Sequence, residues 1–183
     1  MNERTIFERA VHDGAFRVLI TRQKLQKRIR ELGREITHDY RGKEPIVIGI
    51  LNGCFVFISD LVREIELDLE IDFLKISSYG DAQVSSGNVT MLKDVDANIH
   101  DRHVLVVEDI VDTGVSLKYL EEKLKELHPA SLKFVTLLYK KDKAKIHFNI
   151  DYVGFEIPDE FVIGYGLDHK QILRNLPAIY VMD

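Results

Sequence analysis

The sequence predicts an α/β fold in which helices cover both faces of a parallel β-sheet. Short segments that are apolar at nearly every position, such as Ile46 to Leu51, alternate with longer segments whose apolar residues recur every three or four positions. An entirely apolar strand is typical of burial on both faces, whereas in a strand with one solvated face apolar residues would alternate with polar residues. The 183 residues and the 45% hydrophobic content fit one domain, predicted to span residues 1–183.

The first predicted element is a helix from Thr21 to Tyr40. Its apolar residues are spaced by four, three and four positions, which places them on one helical face: Leu25, Ile29, Leu32 and Ile36. Thr21 carries a hydroxyl that can accept a hydrogen bond from the first turn, which favours this residue as the N-cap. The sequence therefore indicates an amphipathic helix here.

A strand, a helix and a second strand follow. Ile46 to Leu51 is rich in β-branched residues and is stopped by Asn52-Gly53, and Phe55 to Ile65 then reads as a helix that covers it. The second strand, Ile71 to Ser78, leads into a polar stretch from Tyr79 to Asn98. The Gly, Ser, Asn and Asp content of this stretch predicts a long mobile loop without a packed element.

A strand–helix–strand unit comes next, with predicted strands at Val104 to Val107 and Leu132 to Leu138 and a helix at Val115 to Leu127. After Lys140 the chain changes to short strand-like segments separated by prolines: Tyr152 to Phe155, Phe161 to Gly164 and Ala178 to Met182. We expect the N-terminal segment and roughly residues 150–183 to form a small lobe over the sheet edge. Periodicity alone places Phe161 and Val162 in the core.

Composition limits the partners and the compartment. The net charge of −5 disfavours a main partner with a nucleic-acid backbone, because phosphate neutralisation needs an excess of Lys and Arg. The single cysteine, Cys54, cannot form an internal disulfide, and the first residues lack the apolar run of a signal peptide. No apolar run approaches the ~18 residues that span a bilayer. We therefore expect a cytoplasmic protein with no membrane partner.

A candidate phosphate site follows the strand Val104 to Val107. Ligands of open parallel sheets bind at the carboxyl ends of strands, which is where the loop from Asp112 to Ser116 must lie. Successive backbone N–H groups at a helix N-terminus bind phosphate, Gly114 permits close approach, and Thr113 and Ser116 add hydroxyls. The sequence therefore predicts a phosphate cradle at this loop.

Glu108 and Asp109 precede this cradle. Adjacent carboxylates repel phosphate, but they can accept hydrogen bonds from the vicinal hydroxyls of a ribose. The pattern contains neither the P-loop motif nor the dinucleotide-binding glycine motif. These residues favour a sugar phosphate, with the ring hydroxyls and the phosphate at opposite ends of one loop.

The segment VLVVEDIVDTGVSL, from Val104 to Leu117, resembles the signature of type I phosphoribosyltransferases, which bind phosphoribosyl pyrophosphate. Leu138-Tyr139-Lys140, the run VGFEIPDEFVIGYGLD from Val153 to Asp168, and Arg174 resemble the hypoxanthine-guanine members in particular. The resemblance extends from about the first strand to the C-terminus. It implies a Rossmann-like core with a small hood lobe, a flexible lid loop, a requirement for Mg²⁺, and transfer of phosphoribosyl to an oxopurine.

The resemblance also implies roles at the sugar phosphate. Asp112 would be the catalytic proton acceptor, and the phosphoribosyl group would contact Glu108, Asp109, Asp112, Thr113, Gly114, Val115 and Ser116. Pyrophosphate would contact Leu51, Asn52, Gly53 and Arg174, with a cis peptide bond before Asn52. Asn52 and Val115 stand where many relatives have a basic residue. Glu108, Asp109 and Asp168 would bind the metal.

For the base, the resemblance implies that Lys140 donates to the exocyclic oxygen of a 6-oxopurine. Phe161 would stack on the purine, the backbone of Val162 would contact its edge, and Asp168 would also belong to the purine-binding residues. Ser78-Tyr79 would begin the lid loop.

Two other functions remain open at this stage: a phosphoribosyl-pyrophosphate-sensing regulator that binds nucleic acid, and a transferase that prefers xanthine. The family implies a homodimer or a homotetramer. Asp94-x-Asp96-x-Asn98 lacks the later residues of a calcium loop, and His100 and His103 lack further zinc ligands.

Overall fold

The computed structural model describes residues 16–78, 89–147 and 149–182. Within these ranges the elements are β1 (Arg17–Ile20), α1 (Arg22–Asp39), β2 (Ile46–Leu51), α2 (Phe55–Val62), β3 (Glu70–Ser78), β4 (Val89–Lys93), β5 (His103–Val111), α3 (Val115–Lys125), β6 (Ser131–Tyr139), β7 (Tyr152–Glu156), β8 (Val162–Ile163) and β9 (Ile179–Val181).

Six strands form the main sheet in the order β4-β3-β2-β5-β6-β7. Neighbouring strands pair in parallel, except that β4 is antiparallel to β3. The predicted α/β fold with a mainly parallel sheet is confirmed. Because β2, β5 and β6 run in the same direction, their carboxyl ends open on one edge, where ligands of such sheets bind.

The central strands are buried on both faces, which explains their uninterrupted apolar sequence. In β5, Leu105 and Val107 pack in the cluster that contains α1 and α2, whereas Val104 and Val106 pack with α3. Successive side chains of a strand point to opposite faces, so one strand contributes to both cores. Full burial of each such side chain contributes about 1.5–3 kcal/mol.

Helix α1 agrees with the sequence prediction. The Thr21 side chain caps it by accepting a hydrogen bond from the Lys24 backbone N–H at 3.3 Å. The predicted apolar face is buried: Leu25, Ile29, Leu32 and Ile36. Gly33 shares this face, and a side chain there would lie 2.5 Å from the Glu64 carbonyl oxygen. The glycine therefore allows α1 to approach the segment that follows α2.

The prediction of a loop from Tyr79 to Asn98 was wrong for its second part, because residues 89–93 form β4. This strand is only five residues long and none of them is fully buried, and it is defined by its pairing with the end of β3, which the local sequence does not reveal. Ser78 is the last residue of β3, and Tyr79 lies outside the described residues. The lid expected at this position is therefore a prediction still.

The small lobe also differs from the prediction. Strands β1, β9 and β8 form a separate antiparallel sheet. The strand Tyr152–Glu156, which the sequence assigned to that lobe, instead pairs with β6 as the edge strand of the main sheet. Gly154 lets it approach closely, because a side chain there would lie 2.4 Å from the Leu137 carbonyl oxygen. The sequence pattern shows the strand but not its partner.

The largest differences in element boundaries are at α2 and β5. Helix α2 ends at Val62, before the predicted Ile65, and β5 continues four residues beyond the predicted Val107.

None of the helices in residues 16–78, 89–147 and 149–182 is long and apolar enough to cross a membrane.

Candidate active site

Glu108 and Asp109 lie inside β5 and not in a loop after it, because the strand stays paired with β6 through Val111. Neighbouring residues of a strand project to opposite faces, so the two carboxylates diverge. Glu108 lines a small cavity with the segment 112–116. Asp109 lies against Gly53, where a side chain would be only 1.7 Å from its Oδ2 atom. The two carboxylates therefore serve two adjoining parts of the site.

The predicted phosphate cradle joins β5 to α3. Gly114 is the N-cap of α3 with a φ of 82°, a conformation that favours glycine, and no side chain caps this helix. The first turn of the helix contains no acidic residue. A cavity of about 90 Å³ lies beside it, lined by Glu108, Asp112, Thr113, Gly114 and Ser116 among others. Uncapped N–H groups and the helix dipole make this a place for an anion.

The turn after β6 packs on the cradle. The Lys145 backbone N–H donates to the Thr113 carbonyl oxygen at 2.9 Å. A side chain at Gly114 would lie 2.2 Å from Ile146 Cγ2. Two segments that are some thirty residues apart in sequence thus hold the cradle together.

Asp112 and Lys140 meet in a closed ring of ion pairs with Lys143 and Asp159. Lys140 Nζ lies 3.3 Å from Asp112 Oδ2 and 2.9 Å from Asp159 Oδ1. Lys143 Nζ lies 2.9 Å from Asp112 Oδ1 and 2.9 Å from Asp159 Oδ1. Sequence reasoning missed Lys143 and Asp159, since Lys143 belongs to a charged run that is usually a solvated turn. No spacing signal connects the two residues; the tertiary fold does.

Two of the predicted pyrophosphate residues, Gly53 and Arg174, come together at Gly166. The Leu51–Asn52 peptide bond is cis, as the resemblance implies. Gly166 has a φ of 104°, and a side chain there would lie 2.1 Å from the Gly53 carbonyl oxygen. Arg174 donates to the Gly166 carbonyl oxygen at 2.8 Å. Its guanidinium is thereby held near the loop that contains Gly53.

Asp168 is paired with Arg174 through Oδ1, at 2.7 Å from Nη2. Its Oδ2 atom accepts from the Gln171 backbone N–H at 2.8 Å. The side chains of Asp168 and Arg174 are only 26% and 19% exposed, so the pair is largely sheltered from water.

Phe161 does not lie in the core, contrary to what periodicity predicts. It precedes β8 and is 54% exposed, with its ring edge-on to His169 at a centroid distance of 5.8 Å. Val162, the next residue, is buried as predicted. Because the two residues project in opposite directions, an exposed aromatic face stands beside a buried strand. Such a face is available for stacking.

The carboxylates of β5 have unusual electrostatics. Burial raises the pKa of Glu108 well above its ordinary value, and the nearby charge of Asp109 adds to the effect. Burial also raises the pKa of Asp109, to about 6, although backbone N–H donors and Arg174 oppose the change. Glu108 Oε2 is buried, with no hydrogen-bond partner among the described residues. A bound cation or a hydroxyl donor would stabilise the charged form of these carboxylates.

The described ranges contain no group of three or more His, Cys, Asp or Glu side chains arranged to hold a metal. Glu108 and Asp109 provide two buried carboxylates, and Asp168 is engaged by Arg174. Mg²⁺ is usually bound by one or two protein carboxylates, with waters and substrate phosphates completing the shell. The donor set therefore fits an ion that arrives with a phosphorylated substrate.

Known proteins are similar to this chain in both sequence and fold. It is 46% identical over 173 residues to the bifunctional protein TilS/HprT of Listeria monocytogenes. The aligned region covers 94% of this chain but 27% of that protein. The chain thus spans about a quarter of the length of that relative. It is 45% identical over 166 residues to the hypoxanthine-guanine phosphoribosyltransferase of Bacillus subtilis, covering 91% and 92% of the two chains.

A crystal structure of a hypoxanthine phosphoribosyltransferase from Staphylococcus aureus superposes with a TM-score of 0.90 at 41% identity, covering 100% of this chain and 96% of the other. The family model described as the phosphoribosyl transferase domain matches residues 19–170. That match includes β5, the cradle, Lys140 and Asp168. The chain therefore belongs to the phosphoribosyltransferase family.

Proposed function

We propose that this chain is a purine salvage enzyme that transfers the 5-phosphoribosyl group of phosphoribosyl pyrophosphate to hypoxanthine or guanine, giving IMP or GMP and pyrophosphate. The observation that carries the proposal is that three features lie together in one site. They are the buried carboxylates of β5, the uncapped start of α3 and the buried ammonium of Lys140. Relatives that cover most of this chain are named hypoxanthine-guanine phosphoribosyltransferase, which supports the same reaction.

The sugar phosphate occupies the edge of the sheet at β5 and α3. The backbone N–H groups of 112–116, with the Thr113 and Ser116 hydroxyls, bind its 5-phosphate. Glu108 and Asp109 accept hydrogen bonds from the ribose hydroxyls. The loop 51–53 and Arg174 contact the pyrophosphate, since the structure brings both to Gly166.

The base lies between Lys140 and Phe161. The Lys140 ammonium donates to the 6-oxo oxygen, and it has no acceptor for the amino group of adenine. The exposed ring of Phe161 stacks on the purine, and the backbone of Val162 contacts its edge. These contacts favour oxopurines over adenine.

In the reaction, the bond between the anomeric carbon and the pyrophosphate oxygen breaks as a purine nitrogen bonds to that carbon. Positive charge develops on the sugar, where the carboxylates of β5 stabilise it. Asp112 receives the proton that the imidazole ring of the purine loses. Mg²⁺, for which Glu108 and Asp109 with the nearby Asp168 are the proposed ligands, would supply positive charge to the departing pyrophosphate.

The decisive assay follows pyrophosphate release from phosphoribosyl pyrophosphate with hypoxanthine, guanine, xanthine, adenine and uracil, with Mg²⁺ and with EDTA. We expect turnover with hypoxanthine or guanine only when Mg²⁺ is present. A higher kcat/KM for xanthine would change the proposed substrate. No turnover with any oxopurine would contradict the proposed function.

We further propose that the enzyme works in the cytoplasm as a homodimer or a homotetramer. The acidic net charge and the absence of an internal disulfide support the compartment. Light scattering coupled to size-exclusion chromatography measures the assembly. A monomer at micromolar concentration would contradict this part of the proposal.

A further inference from the structure

The ring of ion pairs formed by Asp112, Lys140, Asp159 and Lys143 has an inner and an outer side. The Lys140 side chain is 7% exposed, whereas those of Lys143, Asp112 and Asp159 are 37%, 43% and 55% exposed. A buried ammonium needs compensation by hydrogen-bonded carboxylates, and the ring supplies two. An ammonium has three N–H donors, so one remains for a ligand after two have been given to Asp112 and Asp159.

Lys143 contacts the same two carboxylates as Lys140. At Asp112 the lysines take different oxygens, and at Asp159 both lie 2.9 Å from Oδ1. Lys143 and Lys140 hold the pKa of Asp159 below its ordinary value. Neither carboxylate is therefore available to Lys140 alone, and the ring carries no net charge.

The backbone places Lys143 in this ring. Its N–H donates to the Lys140 carbonyl oxygen at 3.0 Å, and so does that of Ala144 at 2.9 Å. The next N–H, of Lys145, bonds to Thr113 in the cradle. Lys143 therefore stands on a turn that is anchored at both ends. Lys141, two residues earlier, points elsewhere: it is 63% exposed and pairs with Glu156 at 3.0 Å.

We propose that Lys143 and Asp159 are positioning residues that hold the Lys140 ammonium ready for the 6-oxo group of the purine. This inference rests on the proposed function. By sharing both carboxylates, Lys143 limits how strongly they attract Lys140. Without Lys143, Asp112 and Asp159 both act on Lys140 alone and draw its donors away from the base. Lys143 thereby contributes to the preference for oxopurines over adenine without touching the base.

The first test compares Lys143→Met, Lys143→Arg and the matched control Lys141→Met in the wild-type background. For Lys143→Met we expect the KM for hypoxanthine to rise about 2- to 10-fold, the effect of a partly exposed ion pair, while the KM for phosphoribosyl pyrophosphate changes less than about 2-fold. A change in kcat is also expected, because Lys143 pairs with Asp112 as well. Lys143→Arg restores the cation and returns the KM towards the wild-type value. Lys141→Met leaves all three constants unchanged.

A second test does not depend on turnover. Calorimetric titration gives the ratio of the affinities for IMP and AMP, and we expect Lys143→Met to lower this ratio by the same factor. In an Asp159→Asn background the effect of Lys143→Met shrinks, because one of the two carboxylates that attract Lys140 has lost its charge. A purely structural role for Lys143 would change the affinities for both nucleotides equally.

The outcomes separate the two proposals. If the wild-type chain uses hypoxanthine and Lys143→Met matches Lys141→Met, the positioning role is wrong and the proposed function stands. Failure of Lys143→Arg to restore the KM, or an equal rise in both substrate KM values, also contradicts the positioning role. A wild-type chain that transfers phosphoribosyl to no oxopurine overturns both proposals.

Discussion

Asp112 combines two tasks in one side chain. It is the first residue of the cradle that is proposed to bind the sugar phosphate, and its carboxylate pairs with Lys140 and Lys143. Its carboxylate can accept a proton and can also stabilise positive charge that develops nearby. A residue with such neighbours is well placed to receive a proton from a base bound by Lys140.

We expect Asp112→Asn to lower kcat about 100- to 10,000-fold, because the amide keeps the shape of the side chain but cannot accept the proton. Steady-state kinetics with hypoxanthine measures the effect. Asp142→Asn is a matched control, since Asp142 is exposed on the turn after β6. An Asp112→Asn enzyme with near-normal turnover would show that the proton goes elsewhere.

Single residues also mark the limit of sequence reasoning. Asp112 and Lys140 were recognisable from their motifs, whereas Lys143 and Asp159 were not. A lysine in the run Lys140-Lys141-Asp142-Lys143 has the same local context whether it faces solvent or the site. Only the turn that connects this run to Thr113 distinguishes Lys143 from Lys141.

Among the elements, the segment that follows β4 is held by one largely buried carboxylate of the neighbouring strand. Asp72 in β3 accepts hydrogen bonds from the backbone N–H groups of Asp96 and Ala97, at 2.6 and 2.9 Å, and lies 3.6 Å from Lys93. Burial opposes its charge, but these N–H donors, that of Phe73 and Lys93 outweigh burial and lower the pKa of Asp72. Its side chain thus fastens the chain after β4 to the sheet.

Asp72→Asn should reduce the free energy of unfolding at neutral pH by about 1–3 kcal/mol, since the charge-assisted hydrogen bonds from the backbone N–H groups are weakened. The pKa of Asp72 is lowered in the folded state, so its stabilisation is present above the unfolded pKa and is lost as pH falls through the folded value. The difference between wild type and variant should therefore shrink below about pH 4.

Urea unfolding at several pH values measures this difference. Asp68→Asn serves as the control, because Asp68 is exposed. A difference that stays constant from neutral pH down to pH 3 would mean that the charge of Asp72 does not fasten this segment.

At the scale of the whole molecule, the site unites parts that are distant in sequence. The loop after β2, the end of β5, the start of α3 and the end of β6 lie at one sheet edge, and Arg174 and Asp168 reach it from the chain after β8. A substrate that bridges these parts, as proposed, would bind the folded state only and would stabilise that state by mass action.

We expect phosphoribosyl pyrophosphate with Mg²⁺, at about 100 times the dissociation constant, to raise the thermal midpoint by about 5 to 10 °C. With EDTA the rise should be much smaller, because the buried carboxylates of β5 then face the substrate without a compensating cation. Differential scanning calorimetry distinguishes the two cases. Equal shifts with and without metal would contradict the proposed role of Mg²⁺.

The sequence by itself determined the features that depend on local periodicity and dense motifs. Helix α1, strand β2 and the turn that joins β5 to α3 were predictable because each is specified by residues close together in sequence. The loop prediction failed at β4 and the lobe prediction failed at β7, because both strands are defined by partners that local patterns do not reveal.

Only the tertiary structure decided how the site is assembled. It extended β5 to Val111, so that Glu108 and Asp109 face different parts of the site, and it exposed Phe161 where periodicity predicted core. It also brought Lys143 and Asp159 to Asp112 and Lys140. The physical reason is that hydrogen-bond pairing and ion pairing act between segments, and their strength depends on distances that the order of residues does not contain.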